Sequence, residues 1–199
     1  MSSTSAPFGL RPAFHPSGLD RAQALAGGIA SGYNTSDILK GAPVKYNSSA
    51  GTIANATAGA IWSGAFAGVE WTDTTGRRRV SNYWPSGTTY QTGSCVAYFY
   101  NDQNIVYEIQ TDATITQASI GNEYNFSAST GFTVTSGSNT TGLSTTGLGV
   151  STAVGNGNPG DMRVVDIAPY ADNAWGDSYV IVRVVNSRSQ FFGTVNAIA

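Results

Sequence analysis

The chain has one histidine and one cysteine, the two side chains that pair in thiol catalysis, and they lie far apart in the sequence. Such a pair requires both groups within hydrogen-bond reach. His15 sits between Phe14 and Pro16, whereas Cys95 opens the apolar run Val96-Ala97-Tyr98-Phe99, where a small buried hydrophobe is expected. A zinc centre needs three or four N, S or O ligands, and only these two are of the softer kind, so no zinc site is expected. A lone cysteine also rules out a disulfide within the chain.

Carboxylates offer a second route to chemistry, because glycoside hydrolysis needs only two acids at a suitable separation. Glu70, Asp102 and Glu108 are candidates, and Asp161, Asp166, Asp172 and Asp177 crowd the last third. No spacing singles out a pair, and turn or strand-end positions account for them all. The run Gly155 to Asp161 has the outline of a phosphate or calcium loop. It lacks the Lys and Ser/Thr that follow the glycines of the first, and the alternate carboxylates and closing Glu of the second. Trp62, Trp71, Trp84 and Trp175 raise a sugar-stacking face, as in a carbohydrate-binding module, but Trp62 and Trp71 lie in apolar runs and read as core or interface anchors. Neither a cofactor nor an enzymatic activity is expected.

Charged residues make up 11% of the 199 residues, against roughly 25% in an ordinary soluble domain. Surfaces this poor in charge suit burial under partners, and equally a secreted β protein. The net charge is −2 and Arg77, Arg78 and Arg79 form the only basic cluster, so no extended positive face awaits nucleic acid. No apolar stretch approaches the roughly 20 residues that span a bilayer. Met1 to Pro7 has neither the basic nor the apolar region of a secretory leader, so synthesis in a cytoplasm is expected.

The elements that must position these residues are strands. Residues 1–20 form an extended N-terminal arm, whose three prolines and two glycines between Ala6 and Gly18 deny it a helix or a central strand. Phe8, Leu10 and Phe14 are too apolar for a free tail, so the arm lies on its own domain or on a neighbour. Residues 21–199 read as an all-β domain, a small barrel or sandwich of antiparallel strands, with a possible division into sub-barrels 21–92 and 93–199. Asp73-Thr74-Thr75-Gly76 has the chemistry of a tight hairpin turn. Val96 to Tyr100 and Ile105 to Gln110 read as a second hairpin, with Ile105, Tyr107 and Ile109 on one face and Glu108 and Gln110 on the other. A single helical turn fits Gln117 to Ile120. Ser127 to Gly160 is a long Ser/Thr/Gly excursion, either a protruding hairpin or a partner contact, in which 133–135 and 148–150 could pair. Met162 to Ile167 and Tyr179 to Val185 are β-branched runs, the second apolar on both faces and hence central; Gln190 to Val195 adds an edge strand.

Several strings then occur in order along nearly the whole chain: Ala6-Pro7-Phe8-Gly9-Leu10-Arg11-Pro12, Gly41-Ala42-Pro43-Val44, Gly64-Ala65-Phe66-Ala67-Gly68-Val69, Tyr83-Trp84-Pro85, Asn104-Ile105-Val106-Tyr107-Glu108-Ile109-Gln110 and Asp172-Asn173-Ala174-Trp175-Gly176. Together they resemble the capsid cement, or decoration, proteins of tailed bacteriophages. The resemblance implies a non-enzymatic virion protein on the capsid exterior, a homotrimer seated where major capsid protein subunits meet, which holds the shell against packaged DNA. A head fibre or tail-associated component is the nearest alternative, but neither repeats nor heptads are visible. Phe8, Leu10, Arg11, Phe14, Arg77, Arg78, Arg79 and Trp84 are the expected contacts with capsid or neighbouring subunit. Removal of residues 1–18 is expected to leave a folded protein that no longer stays on the shell.

Overall fold

The structure is a computed structural model that describes residues 2–18, 21–151, 153–154 and 158–191. Its strands are β1 (Arg11–Phe14), β2 (Gln23–Ala26), β3 (Pro43–Asn47), β4 (Thr52–Asn55), β5 (Gly64–Thr72), β6 (Arg78–Ser81), β7 (Val96–Tyr100), β8 (Val106–Gln110), β9 (Glu123–Phe126), β10 (Gly137–Ser138), β11 (Leu143–Ser144), β12 (Leu148–Gly149), β13 (Met162–Ile167) and β14 (Ile181–Asn186). A single 3-10 turn, Gln117–Ser119, falls where one helical turn was expected.

The strands form three antiparallel sheets packed together in the manner of a sandwich, and none closes into a barrel. The arm sheet runs β1-β8-β14-β13-β9-β12. The second large sheet runs β2-β7-β5-β3-β4, with β6 added beside β5, and β10-β11 is a small hairpin. Each large sheet has its own buried cluster. Trp62, Tyr107, Ile109, Val182 and Met162 belong to the first, and Val44, Phe66, Trp71, Trp84 and Phe99 to the second.

β14 lies between β8 and β13, as its two apolar faces require. The turn at 73–76 joins β5 to β6, with Gly76 at φ +88°, a conformation that a side chain disfavours. The Gly/Ala-dense β5 packs closely on its neighbour: a Cβ on Gly64 would lie 1.7 Å from the Tyr100 carbonyl oxygen.

Two strand pairings differ from those expected of the sequence. Val96 to Gln110 is not a hairpin: β7 pairs with β2 and β5, whereas β8 pairs with β1 and β14. Residues 101–105 carry the chain from one sheet to the other. The parts before and after residue 92 share their sheets: β7 is an interior strand of the sheet that holds β2 to β6, and β1 is the edge of the sheet that holds β8, β9, β12, β13 and β14.

Within the Ser/Thr/Gly excursion β10 and β11 pair as a hairpin, with Gly137 to Thr141 exposed. Leu148 pairs with Phe126 on β9, and not with 133–135. The Ser144 amide donates to the Lys40 carbonyl (2.9 Å) and the Lys40 amide to that of Gly142 (2.9 Å), so the segment ties the excursion to the second sheet. Of the loop at 155–161, residues 155–157 lie outside the described residues, as does most of the expected edge strand 190–195.

The arm is an edge of its own domain. Pro12 has no N–H to give and is tolerated on the outermost strand, where β1 pairs with β8 through a bulge between Pro12 and Phe14. Upstream, the Ala6 amide donates to Gln110 Oε1 (2.8 Å), and the Tyr179 amide donates to the Ser2 carbonyl (2.7 Å).

Candidate functional site

The residues with catalytic potential are each held in separate structural roles. His15 Nδ1 accepts the Ser17 amide (3.0 Å), and its Nε2 faces the Asp102 carboxylate at 3.2 Å. Cys95 is buried in the second core, and desolvation pushes its thiol up despite a hydrogen bond from the Ile29 backbone. Among the described residues no three His, Cys, Asp or Glu side chains gather as a metal site.

Glu70 sits on β5 and Glu108 on β8, in different sheets, each with its own arginine: Arg78 for Glu70 and Arg11 for Glu108. Asp161 is fully buried, and its Oδ2 accepts the amides of Gly59 (2.8 Å) and Phe126 (3.0 Å). Burial raises its pKa against those donors and Arg188. It pins a loop to β9.

The arm brings one cluster together. By register, Arg11 on β1, Glu108 on β8, Arg183 on β14 and Asp166 on β13 stand side by side, a row of alternating charge on the face opposite the core. Glu108 is its centre, 5% exposed, and accepts from Arg11 Nη2 (2.6 Å) and the Tyr170 hydroxyl (2.6 Å), with Arg183 Nε at 3.7 Å. The guanidinium of Arg11 also lies over the Phe8 ring (4.7 Å), and that of Arg183 over Phe14 (5.4 Å).

Burial alone would raise the Glu108 pKa, but the Tyr170 hydroxyl, Arg11 and Arg183 outweigh it and hold the carboxyl below its usual value. A carboxyl lowered in the fold stabilises it above the unfolded pKa and loses that contribution as pH falls through the folded one. Acidification from pH 5 toward pH 3 is therefore expected to loosen the arm. Amide exchange at β1, measured at constant intrinsic rate, should rise more over this interval in the natural chain than in Glu108→Gln. An equal rise in both would assign the effect to other groups.

Around this row apolar side chains stay in the open: Phe14 (43% exposed), Val165 at the β13 bulge, and Tyr170. Across the molecule, the β5–β6 hairpin presents Arg77 and Val80, the latter 75% exposed. Arg78 pairs with Glu70, and Arg79 pairs with Asp73 at 2.9 Å, so two of the three arginines are already neutralised within the hairpin. Arg77 makes no ion pair among the described residues.

Two expected contact residues lie elsewhere. Trp84 is 0% exposed, packed edge-on against Trp71 (5.3 Å) and Tyr90 (5.9 Å), and Leu10 is 2% exposed in the first core. Both are covered by the chain's own side chains. A tryptophan beside a proline in a polar sequence resembles a surface anchor, but the Ile38–Trp84 bridge turns it inward.

Phe8, Arg11 and Phe14 do lie together, and Arg77, Arg78 and Arg79 lie together in the other sheet. Tyr170 and Arg183 were missed. The available signal was Arg183 itself, a cation amid Val180 to Val185, which needs a nearby carboxylate to be tolerated.

No family profile, no curated protein and no solved structure matches this chain. Among the described residues no helix is long and apolar enough to cross a membrane.

Proposed function

We propose that this chain is a structural protein of a tailed-phage virion, which binds the outside of the head and stabilises the shell as a cement protein. Its partners in this reading are the major capsid protein and two further copies of itself, with neither nucleic acid nor membrane involved. One observation carries it: the outer face of the arm sheet leaves Phe14, Val165 and Tyr170 exposed around a row in which two arginines are matched by two carboxylates, Glu108 and Asp166. Interface cores are built this way, with rings and arginine present and net charge absent. The ordered strings that resemble cement proteins supply the identity of the covered surface.

The carbohydrate-binding alternative loses its main feature. Trp62, Trp71 and Trp84 are buried, and Trp175 packs against the first core, so the tryptophans form no platform for sugar rings. A glycan array should show no saccharide selectivity; reproducible binding to one sugar class would favour that alternative.

The hairpin offers a separate test of attachment. Reversing Arg78 or Arg79 strands Glu70 or Asp73 and confounds attachment with stability, so Arg77→Glu is the cleaner variant. It is expected to lower occupancy on purified heads by roughly two- to fivefold, the scale of one exposed ion pair. Unchanged occupancy would remove the hairpin from the contact surface.

A further inference from the structure

A groove lies where the arm, the second sheet and the Ser/Thr/Gly segment meet, and it shares Arg11 with the row around Glu108. Phe8 of the arm, Leu143 of the β10–β11 hairpin, Phe66 and Tyr100 are among its lining, and the space is about 380 Å³. That is near the bottom of the range for ligand clefts, roughly 300–1,000 Å³, room for a side chain or two and not for a nucleotide cofactor.

Its electrostatics are one-sided. Arg11 and Lys40 stand on the groove and no carboxylate lines it. Arg11 is engaged by Glu108, but the Lys40 ammonium has no ion pair or hydrogen bond among the described residues. The Lys40 main chain is held on both sides, by the Gly142 carbonyl and the Ser144 amide, so the cation is presented from a fixed base. Leu143, 45% exposed, stands beside it with half its surface uncovered. An apolar slot with an unpaired cation at its rim is complementary to an apolar side chain followed by an acid.

We propose that this groove binds an extended acidic-apolar segment of a partner protein, its apolar side chain between Phe8 and Leu143 and its carboxylate on Lys40. The inference stands on these residues alone and does not require the partner to be a capsid.

Selection of a random heptapeptide library on the full chain tests it. Enriched peptides should share Asp or Glu within two residues of Leu, Ile, Met or Phe. Their affinity should fall about two- to fivefold in Lys40→Gln, about tenfold or more in Lys40→Glu, where like charges meet, and beyond detection in Leu143→Asp. Lys40→Arg should retain binding. Both substituted side chains are exposed, and unchanged melting temperatures would separate lost binding from lost folding. Enrichment of peptides without an acid would overturn the proposal, as would indifference to both Lys40→Gln and Lys40→Glu. So would a library that yields nothing above the Lys40→Glu/Leu143→Asp double variant.

Discussion

A chain beginning at Arg21 should melt at least roughly 6–12 °C below the full-length protein, because the loss of Leu10 from the first core costs about 3 kcal/mol by itself. The deletion also removes β1 from the edge of β8 and takes Arg11 from Glu108, a buried carboxylate left with Tyr170 and the more distant Arg183. Both losses act in the same direction. The expectation from sequence, a folded remainder that merely lets go of its shell, therefore changes. Truncation confounds folding with attachment, and Phe14→Ser, which alters an exposed ring, is the variant that separates them. Calorimetry of the truncated and intact chains checks the prediction; coincident melting curves would mean that the arm contributes no stability.

The second large effect is expected at Trp84. Trp84→Ala should destabilise the protein by about 3–5 kcal/mol, the usual consequence of emptying an aromatic site in a packed core. The substitution removes the edge-on contacts of its ring with Trp71 and Tyr90 from the second cluster. Trp84→Phe should recover part of this, since Trp84 Nε1 has no hydrogen-bond partner among the described residues and the indole N–H is therefore dispensable. Denaturant midpoints at constant slope measure both. If Trp84→Ala left stability unchanged yet reduced binding to heads, Trp84 would be the contact residue that its sequence setting suggests.

How far the sequence exposed this structure depends on whether local chemistry or distant pairing decides an element. The turn at Asp73 to Gly76 was legible because Asp73 Oδ1 accepts the amides of Thr75 (2.9 Å) and Arg77 (3.0 Å), a device encoded within five residues. The strands themselves were legible from β-branched runs. Sheet membership was not: Val96 to Tyr100 and Val106 to Gln110 have the patterns and the polar link of a hairpin, yet five residues suffice to step between packed sheets. Apolar alternation specifies a strand and a buried face, and leaves its partner open.

The Ser/Thr/Gly segment was opaque for another reason. Its hydroxyls replace missing backbone partners, as where Ser144 and Thr146, both fully buried, lie 2.8 Å apart and Thr146 Oγ1 donates to the Thr133 carbonyl (3.2 Å). Composition that usually marks a solvated loop here also buries Ser144, Thr146 and Gly147. Of the candidate contacts, exposure separated Phe14 and Arg77 from Leu10 and Trp84, and exposure is a property of the fold that residue type does not carry.

Where the protein resides is decided by cryo-electron microscopy of purified heads, with and without the chain. Density for an all-β protein is expected on the outer surface, in a fixed ratio to the major capsid protein, with the face bearing Phe14 and Tyr170 turned to its neighbours. Heads that lack this density, and that sediment free of the added protein, would contradict that placement.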